Sequence, residues 1–337
     1  MLKLRKGDNV RPEFIEKKSV LYLVAPSFGC TTSPYKERLK EAIKTLKHEG
    51  YKIKEGKNIF QAKGIVSSNT PKERAKEIHD AFLSKADAII SVGGGELMVE
   101  ILEYIDFDLI KKNPKWFMGF SDNTNLTYTI TTICDIETIY GVNAPSMAIL
   151  EYDSKDALEI LKGKREFIGY DGWQYEDLDE TPIHHYKLDR KTKIIPYNYK
   201  TMTGRLIGGC LDCLVGICGT KYDNTVNYIN KHKEDGIIFF MEACDLNSIS
   251  LRRALTQLKY AGWFDNVDGF IIGRSNNFMD ESFGEPINKS YIDILSPLNK
   301  PILLDSPISH RSPTLPIRVG AKAEVTFDGN IKIKYLD

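Results

Sequence analysis

The stretch Val20-Leu-Tyr-Leu-Val-Ala25, closed by Pro26, is an apolar run with no polar interruption. A strand with one face in water alternates polar and apolar residues, so a run like this must be covered on both sides, as in a parallel sheet. A loop, Ser27 to Pro34, follows it, and then Leu39, Ile43 and Leu46 recur at helical spacing until Gly50. Ala86 to Val92, Gly93-Gly94-Gly95 and Glu96 to Ile105 repeat the order of buried strand, tight loop and amphipathic helix. Thr70-Pro71-Lys72-Glu73 adds a helix start, with proline in the first turn and an acidic residue three after the threonine. Strand, loop and helix in regular succession predict an α/β fold around an open, mostly parallel sheet flanked by helices.

At 337 residues the chain is longer than one average core supports. The texture changes in Gly169 to Glu180, which is acidic and aromatic and lacks periodicity, and is followed by His184-His185-Tyr186. We therefore divide the chain into an N-terminal α/β domain (1–165), an interdomain crossing with a surface loop over the pocket (166–200), and a second, C-terminal domain (201–337). In the last part Ile237 to Glu242 and Val267 to Arg274 read as strands, Ser248 to Gly262 as a helix, and Ala323 to Phe327 with Ile331 to Tyr335 as a hairpin about Asp328-Gly329.

Forty-six basic and 46 acidic residues cancel, which argues against a nucleic-acid or membrane-surface partner and for a small substrate. No apolar run is long enough to span a bilayer, and Met1-Leu-Lys-Leu-Arg-Lys-Gly-Asp8 lacks the apolar centre of a secretion signal, so a cytoplasmic location is expected. Cys210-Leu-Asp-Cys213 has no second C-x-x-C at zinc spacing and sits in an apolar, small-residue run. It predicts buried reduced thiols, with no metal and no cofactor.

Candidate chemistry begins at Lys115-Trp-Phe-Met-Gly119-Phe120-Ser121-Asp122-Asn123-Thr124, where bulky strand residues give way to a helix start. A serine on such a turn projects its hydroxyl beside the first free helix amides, the arrangement of a nucleophile elbow. Asn123 stands where the second glycine of G-x-S-x-G would be, and an ordinary helix cap remains the alternative for Ser121. The loop Gly93 to Gly95 lets a ligand approach backbone amides, for an oxyanion or a nucleotide, although the spacing fits neither common nucleotide motif. Glu242 ends an apolar strand, where a carboxylate needs a partner, and His310 is the best base by elimination among the histidines. Ser121, Glu242 and His310 all fall near the carboxyl ends of predicted strands, where the sites of open sheets collect.

Taken together, Val92-Gly-Gly-Gly95, Gly119-Phe-Ser-Asp-Asn-Thr124, Gly204-Arg-Leu-Ile-Gly-Gly209, Phe239-Phe-Met-Glu242, Leu251-Arg-Arg-Ala-Leu-Thr-Gln-Leu258 and His310 to Gly320 resemble, in order and spacing, the LD-carboxypeptidase family of serine peptidases. That family includes muropeptide LD-carboxypeptidases and the microcin C immunity proteins called MccF. The resemblance implies Ser121 as nucleophile, His310 as base, Glu242 as its orienting carboxylate, and the amides of Gly94 and Asp122 as oxyanion hole. It implies a homodimer and an α/β N-terminal domain joined to a smaller β-rich one. Gly95 and Trp173 are candidate substrate contacts, with anchoring of its own loop the alternative for Trp173. Length and the Trp173 loop are closer to the MccF branch, implying cleavage of an amide in a small non-standard peptide or a peptidyl or aminoacyl nucleotide. A muramoyltetrapeptide LD-carboxypeptidase is the alternative, and a non-catalytic nucleotide-binding regulator the remote one. Cys210 stands where many relatives have asparagine, and Ser309 where glycine is common.

Overall fold

The apolar runs become two large sheets, beside which Gly172–Trp173 and Arg190–Lys191 pair as a two-stranded ribbon. The computed structural model describes residues 10–175 and 182–336; of the acidic loop, residues 176–181 lie outside the described residues. The first sheet has six strands in the order Ile317–Val319, Thr138–Tyr140, Trp116–Gly119, Ala88–Ser91, Val20–Val24, Lys52–Glu55. Its last five strands are parallel, and Ile317–Val319 is added antiparallel at the edge. Helix Tyr35–His48 packs Leu39, Ala42, Ile43 and Leu46 into the core on one face. Helix Pro71–Leu83 packs Ala75, Ile78, Ala81 and Phe82 on the other, which is why Val20–Val24 is apolar throughout. Its start is capped as the sequence predicts, Thr70 accepting a 3.4 Å hydrogen bond from the Glu73 amide.

The second, eight-stranded sheet runs Glu166–Ile168, Ile331–Tyr335, Lys322–Phe327, Met202–Cys210, Ile237–Glu242, Gly269–Gly273, Ile302–Ser306, Ile195–Tyr197. The four strands from Met202–Cys210 to Ile302–Ser306 are parallel, and antiparallel strands flank them. The hairpin forms, with Ala323 opposite Tyr335 and Phe327 opposite Ile331.

The helix expected over Glu96 to Ile105 is replaced by a 3-10 segment, Met98–Tyr104, followed by the separate short helix Phe107–Lys112. Asp106 accepts a 2.9 Å bond from the Leu109 amide and so begins a new helix rather than continuing the old one. The edge strand Ile317–Val319 is fastened by Arg318, whose Nε and Nη2 donate to Glu137 Oε2 at 3.1 and 2.6 Å in a fully enclosed setting. Among the described residues no helix is long and apolar enough to cross a membrane.

Candidate active site

Trp116–Gly119 is buried on both faces, so the chain must leave the sheet at its carboxyl end, and it does so through Ser121. This serine has φ +63°, the left-handed region that a side chain enters at a cost of about 1–2 kcal/mol. A single 3-10 turn, Ser121–Asn123, then feeds helix Thr124–Cys134. Asn123 explains how the elbow manages without a second glycine. Its Nδ2 donates to Phe120 O and to Gly93 O, both at 2.9 Å, which ties the turn to the glycine loop. Gly119 is the residue that gives way, since a Cβ there would meet Asn123 Cγ at 2.5 Å.

The second sheet brings Glu242 to the same place. It is the last residue of its strand and has no solvent exposure. Its Oε2 lies 2.7 Å from His310 Nδ1, and His310 Nε2 lies 2.8 Å from Ser121 Oγ. A carboxylate only accepts, so Nδ1 is the donor and Nε2 of the neutral ring is left to accept from the serine hydroxyl. The Phe120 ring packs against the imidazole with centroids 4.6 Å apart. Behind the ring, Ser309 Oγ donates to Arg274 O at 2.7 Å and its amide donates to Thr314 Oγ1 at 3.0 Å, holding the His310 loop in shape. Burial works against the charged imidazole, yet the Glu242 carboxylate, aided by Cys244, outweighs it and holds His310 well above its ordinary value.

The remaining sequence candidates separate. Gly94 lies against the nucleophile, a Cβ there falling 3.0 Å from Ser121 Cβ. Asp122 turns its side chain inward, accepting from the Ser27 hydroxyl, from the Met98 amide and from Asn125 Nδ2, the last two at 2.9 Å. Burial raises its carboxyl above the usual range despite these donors. Gly95 lines a cleft of about 470 Å³ that also contains Ser121 and His310. Trp173 is not among the residues lining that cleft, which departs from its reading as a substrate contact and agrees with its reading as a loop anchor. It is buried beneath the Arg274 guanidinium, 4.4 Å from its ring, and edge-on to Phe278 at 5.2 Å, which covers more of its apolar surface than an open cleft would. The cleft is walled instead by the next part of the same crossing, Pro182, Ile183, His184 and Tyr186, facing Phe28 and Tyr35.

Tyr140 has no signal in the sequence. Its hydroxyl donates to Glu242 Oε1 at 2.6 Å, joining groups that lie 102 residues apart. The six cysteines are free, but Cys213 and Cys244 are only part-buried and flank the site, where an apolar run predicts packing residues. Among the described residues no group of three or more His, Cys, Asp or Glu side chains is placed to hold a metal ion.

Residues 21–141 match the LD-carboxypeptidase N-terminal domain and residues 203–325 the LD-carboxypeptidase C-terminal domain. The chain belongs to the LD-carboxypeptidase family. It is 27% identical over 313 residues to the microcin C7 self-immunity protein MccF of Escherichia coli, covering 88% of each chain. It is 25% identical over 320 residues to a probable murein peptide carboxypeptidase of Bacillus subtilis, covering 94% of this chain and 91% of the relative. The structure of MccF in complex with aspartyl sulfamoyl adenosine superposes with a TM-score of 0.81 at 25% identity, over 96% of this chain and 98% of that one. The family membership makes this protein a peptidase, and the α/β architecture with two sheets is the fold of its neighbours.

Proposed function

We propose that this LD-carboxypeptidase is a serine hydrolase that cleaves the amide of an aminoacyl or peptidyl nucleotide, with Ser121 as nucleophile, His310 as general base and acid, and Glu242 as its orienting carboxylate. The observation that carries this reading is the continuous hydrogen-bonded line from Glu242 through His310 to Ser121, at 2.7 and 2.8 Å.

Ser121 Oγ attacks the amide carbonyl carbon while its proton passes to His310 Nε2. The backbone amides of Gly94 and Asp122 receive the developing oxyanion, each such donor being worth on the order of 3 kcal/mol. Collapse breaks the carbon–nitrogen bond, and His310 returns the proton to the leaving amine. Water activated by the same imidazole then hydrolyses the acyl-serine ester and frees the carboxylic acid. Glu242 fixes the tautomer and offsets the imidazolium charge.

Two features support a nucleotide leaving group. A cleft of about 470 Å³ bordered by Phe28, Tyr35 and Tyr186 offers aromatic surface beside Ser121, and the similar MccF binds aspartyl sulfamoyl adenosine. The murein-peptide reading uses the same machinery and is favoured by the similarity to the Bacillus subtilis protein across 94% of this chain.

One experiment tests both. The protein and its Ser121→Ala variant are incubated with an aminoacyl sulfamoyl adenosine and with a murein tetrapeptide, and products are followed by mass spectrometry. Release of the amino acid from the adenosine analogue by the parent alone is expected. Loss of the terminal residue from the tetrapeptide, with the analogue untouched, would select the murein reading. Equal turnover by parent and variant would remove Ser121 from the chemistry.

A further inference from the structure

A second cavity opens beside Ser121, separate from the large cleft and smaller, at about 130 Å³. It shares Gly95, Glu96 and Ser121 with the large cleft, but His310 borders only the large one. Because the imidazole hands its proton to the departing nitrogen, the leaving group occupies the side His310 faces. The small cavity is therefore the place for the acyl group.

Its lining includes the acidic residues Glu96, Asp122, Asp212 and Asp245 and no lysine, arginine or histidine. Asp212 accepts from the amides of Cys244 and Asp245 at 3.0 and 2.9 Å and so fixes the turn on which Asp245 stands. Burial, then repulsion from Asp245, Asp122 and Asp212, raises the Glu96 carboxyl, as expected of anions that share one small space.

Asn125 points independently to a donor as the missing partner. Its side chain is 2% exposed and lines the cavity. Its Nδ2 donates at 2.9 Å to both the carbonyl and the carboxylate of Asp122, two groups that can only accept, so the amide orientation is settled. That leaves Asn125 Oδ1 as a buried acceptor with no partner among the described residues. A buried acceptor left unpaired is costly, and one N–H group in the cavity would satisfy it.

We infer that this cavity is an acyl-side subsite for an ammonium group, with Glu96 and Asp245 supplying the countercharge and Asn125 Oδ1 the neutral acceptor. The inference rests on the proposed serine mechanism for its assignment of acyl and leaving sides. The ammonium could be the α-amino group of the acyl residue or a terminal amine on its side chain.

The test uses sulfamoyl adenosine analogues that share one leaving group: lysyl, norleucyl, Nα-acetylnorleucyl and glutamyl. Lysyl against norleucyl isolates the side-chain ammonium, and norleucyl against its acetylated form isolates the α-ammonium. In one of these pairs kcat/KM is expected to favour the ammonium-bearing member by about tenfold or more, and where the side-chain pair is the one that separates, glutamyl falls below norleucyl. Glu96→Gln and Asp245→Asn are each expected to shrink that ratio. Equal rates in both pairs, or a ratio unmoved in both variants, overturns the subsite. Should the parent hydrolyse none of the analogues, calorimetric binding to Ser121→Ala decides separately. Tighter binding of the ammonium-bearing member keeps the subsite while the mechanism falls, and equal binding discards the subsite as well.

Discussion

The Tyr140 hydroxyl donates a 2.6 Å hydrogen bond to Glu242 Oε1, from the carboxyl end of a strand in the first sheet to the carboxyl end of a strand in the second. Both side chains are buried, and the other carboxylate oxygen holds His310. The bond therefore orients the Glu242 carboxylate and ties the sheet carrying Ser121 to the one carrying its partner.

Tyr140→Phe deletes that donor and leaves Glu242 Oε1 unpaired, at a cost of about 1–3 kcal/mol in stability. With less of its charge compensated, Glu242 stabilises the imidazolium more strongly, so the acid limb of kcat/KM moves to higher pH. A variant that loses Tm with an unchanged pH profile would reduce Tyr140 to a packing residue.

His310 serves as base only when neutral, and its pKa stands well above the ordinary 6.5 because Glu242 outweighs burial. Activity is thus expected to fall as pH drops through a midpoint above about 6.5, leaving little turnover at pH 5. Glu242→Gln removes the cause of the raised value. Its limb should move to lower pH while kcat falls by roughly 10³- to 10⁴-fold, as when a triad imidazole loses its orienting anion. A profile flat from pH 8 to pH 5 would be incompatible with His310 as base.

Gly94→Ala places a methyl group 3.0 Å from Ser121 Cβ and 3.3 Å from Oγ. The crowding falls on the nucleophile, so kcat/KM should drop by about tenfold to a hundredfold while denaturant stability changes by less than about 1 kcal/mol. Wild-type kinetics in this variant would show that the loop has room to spare.

Glu137→Ala leaves the buried Arg318 guanidinium without the carboxylate that it meets at 2.6 Å. Breaking one side of an enclosed ion pair costs about 3–5 kcal/mol, which urea unfolding would read as a lower midpoint with catalysis intact in the folded fraction. A loss under about 1 kcal/mol would mean that water reaches Arg318 and that Ile317–Val319 is held by its backbone ladder alone.

Much of this was legible along the chain, because the relevant physics is local. An unbroken run such as Val20 to Ala25 reads as a doubly covered strand, Thr70 and Glu73 mark a helix start three residues apart, and Asp328-Gly329 signals its own hairpin. Ser121 announced itself by the change of texture at a strand end. The Met98–Tyr104 segment misled, and Trp173 stayed open between a substrate contact and a loop anchor, since a short apolar spacing and a lone aromatic each fit several surroundings.

Sequence alone determined strands such as Val20–Val24 and Ile237–Glu242, the Thr70 cap, the glycine loop and, through motif and resemblance, the three side chains proposed for catalysis. Only the tertiary structure decided which groups meet: His310 with Ser121 across 189 residues, His310 with Glu242 across 68, and Tyr140 with Glu242 across 102. It alone also disclosed Asn123 as the stitch of the elbow and Asn125 Oδ1 as an acceptor without a partner among the described residues. The reason is geometric. Periodicity and capping act within a few residues, whereas a contact between sheets depends on strand order and on where each strand ends, and neither is written in any local pattern.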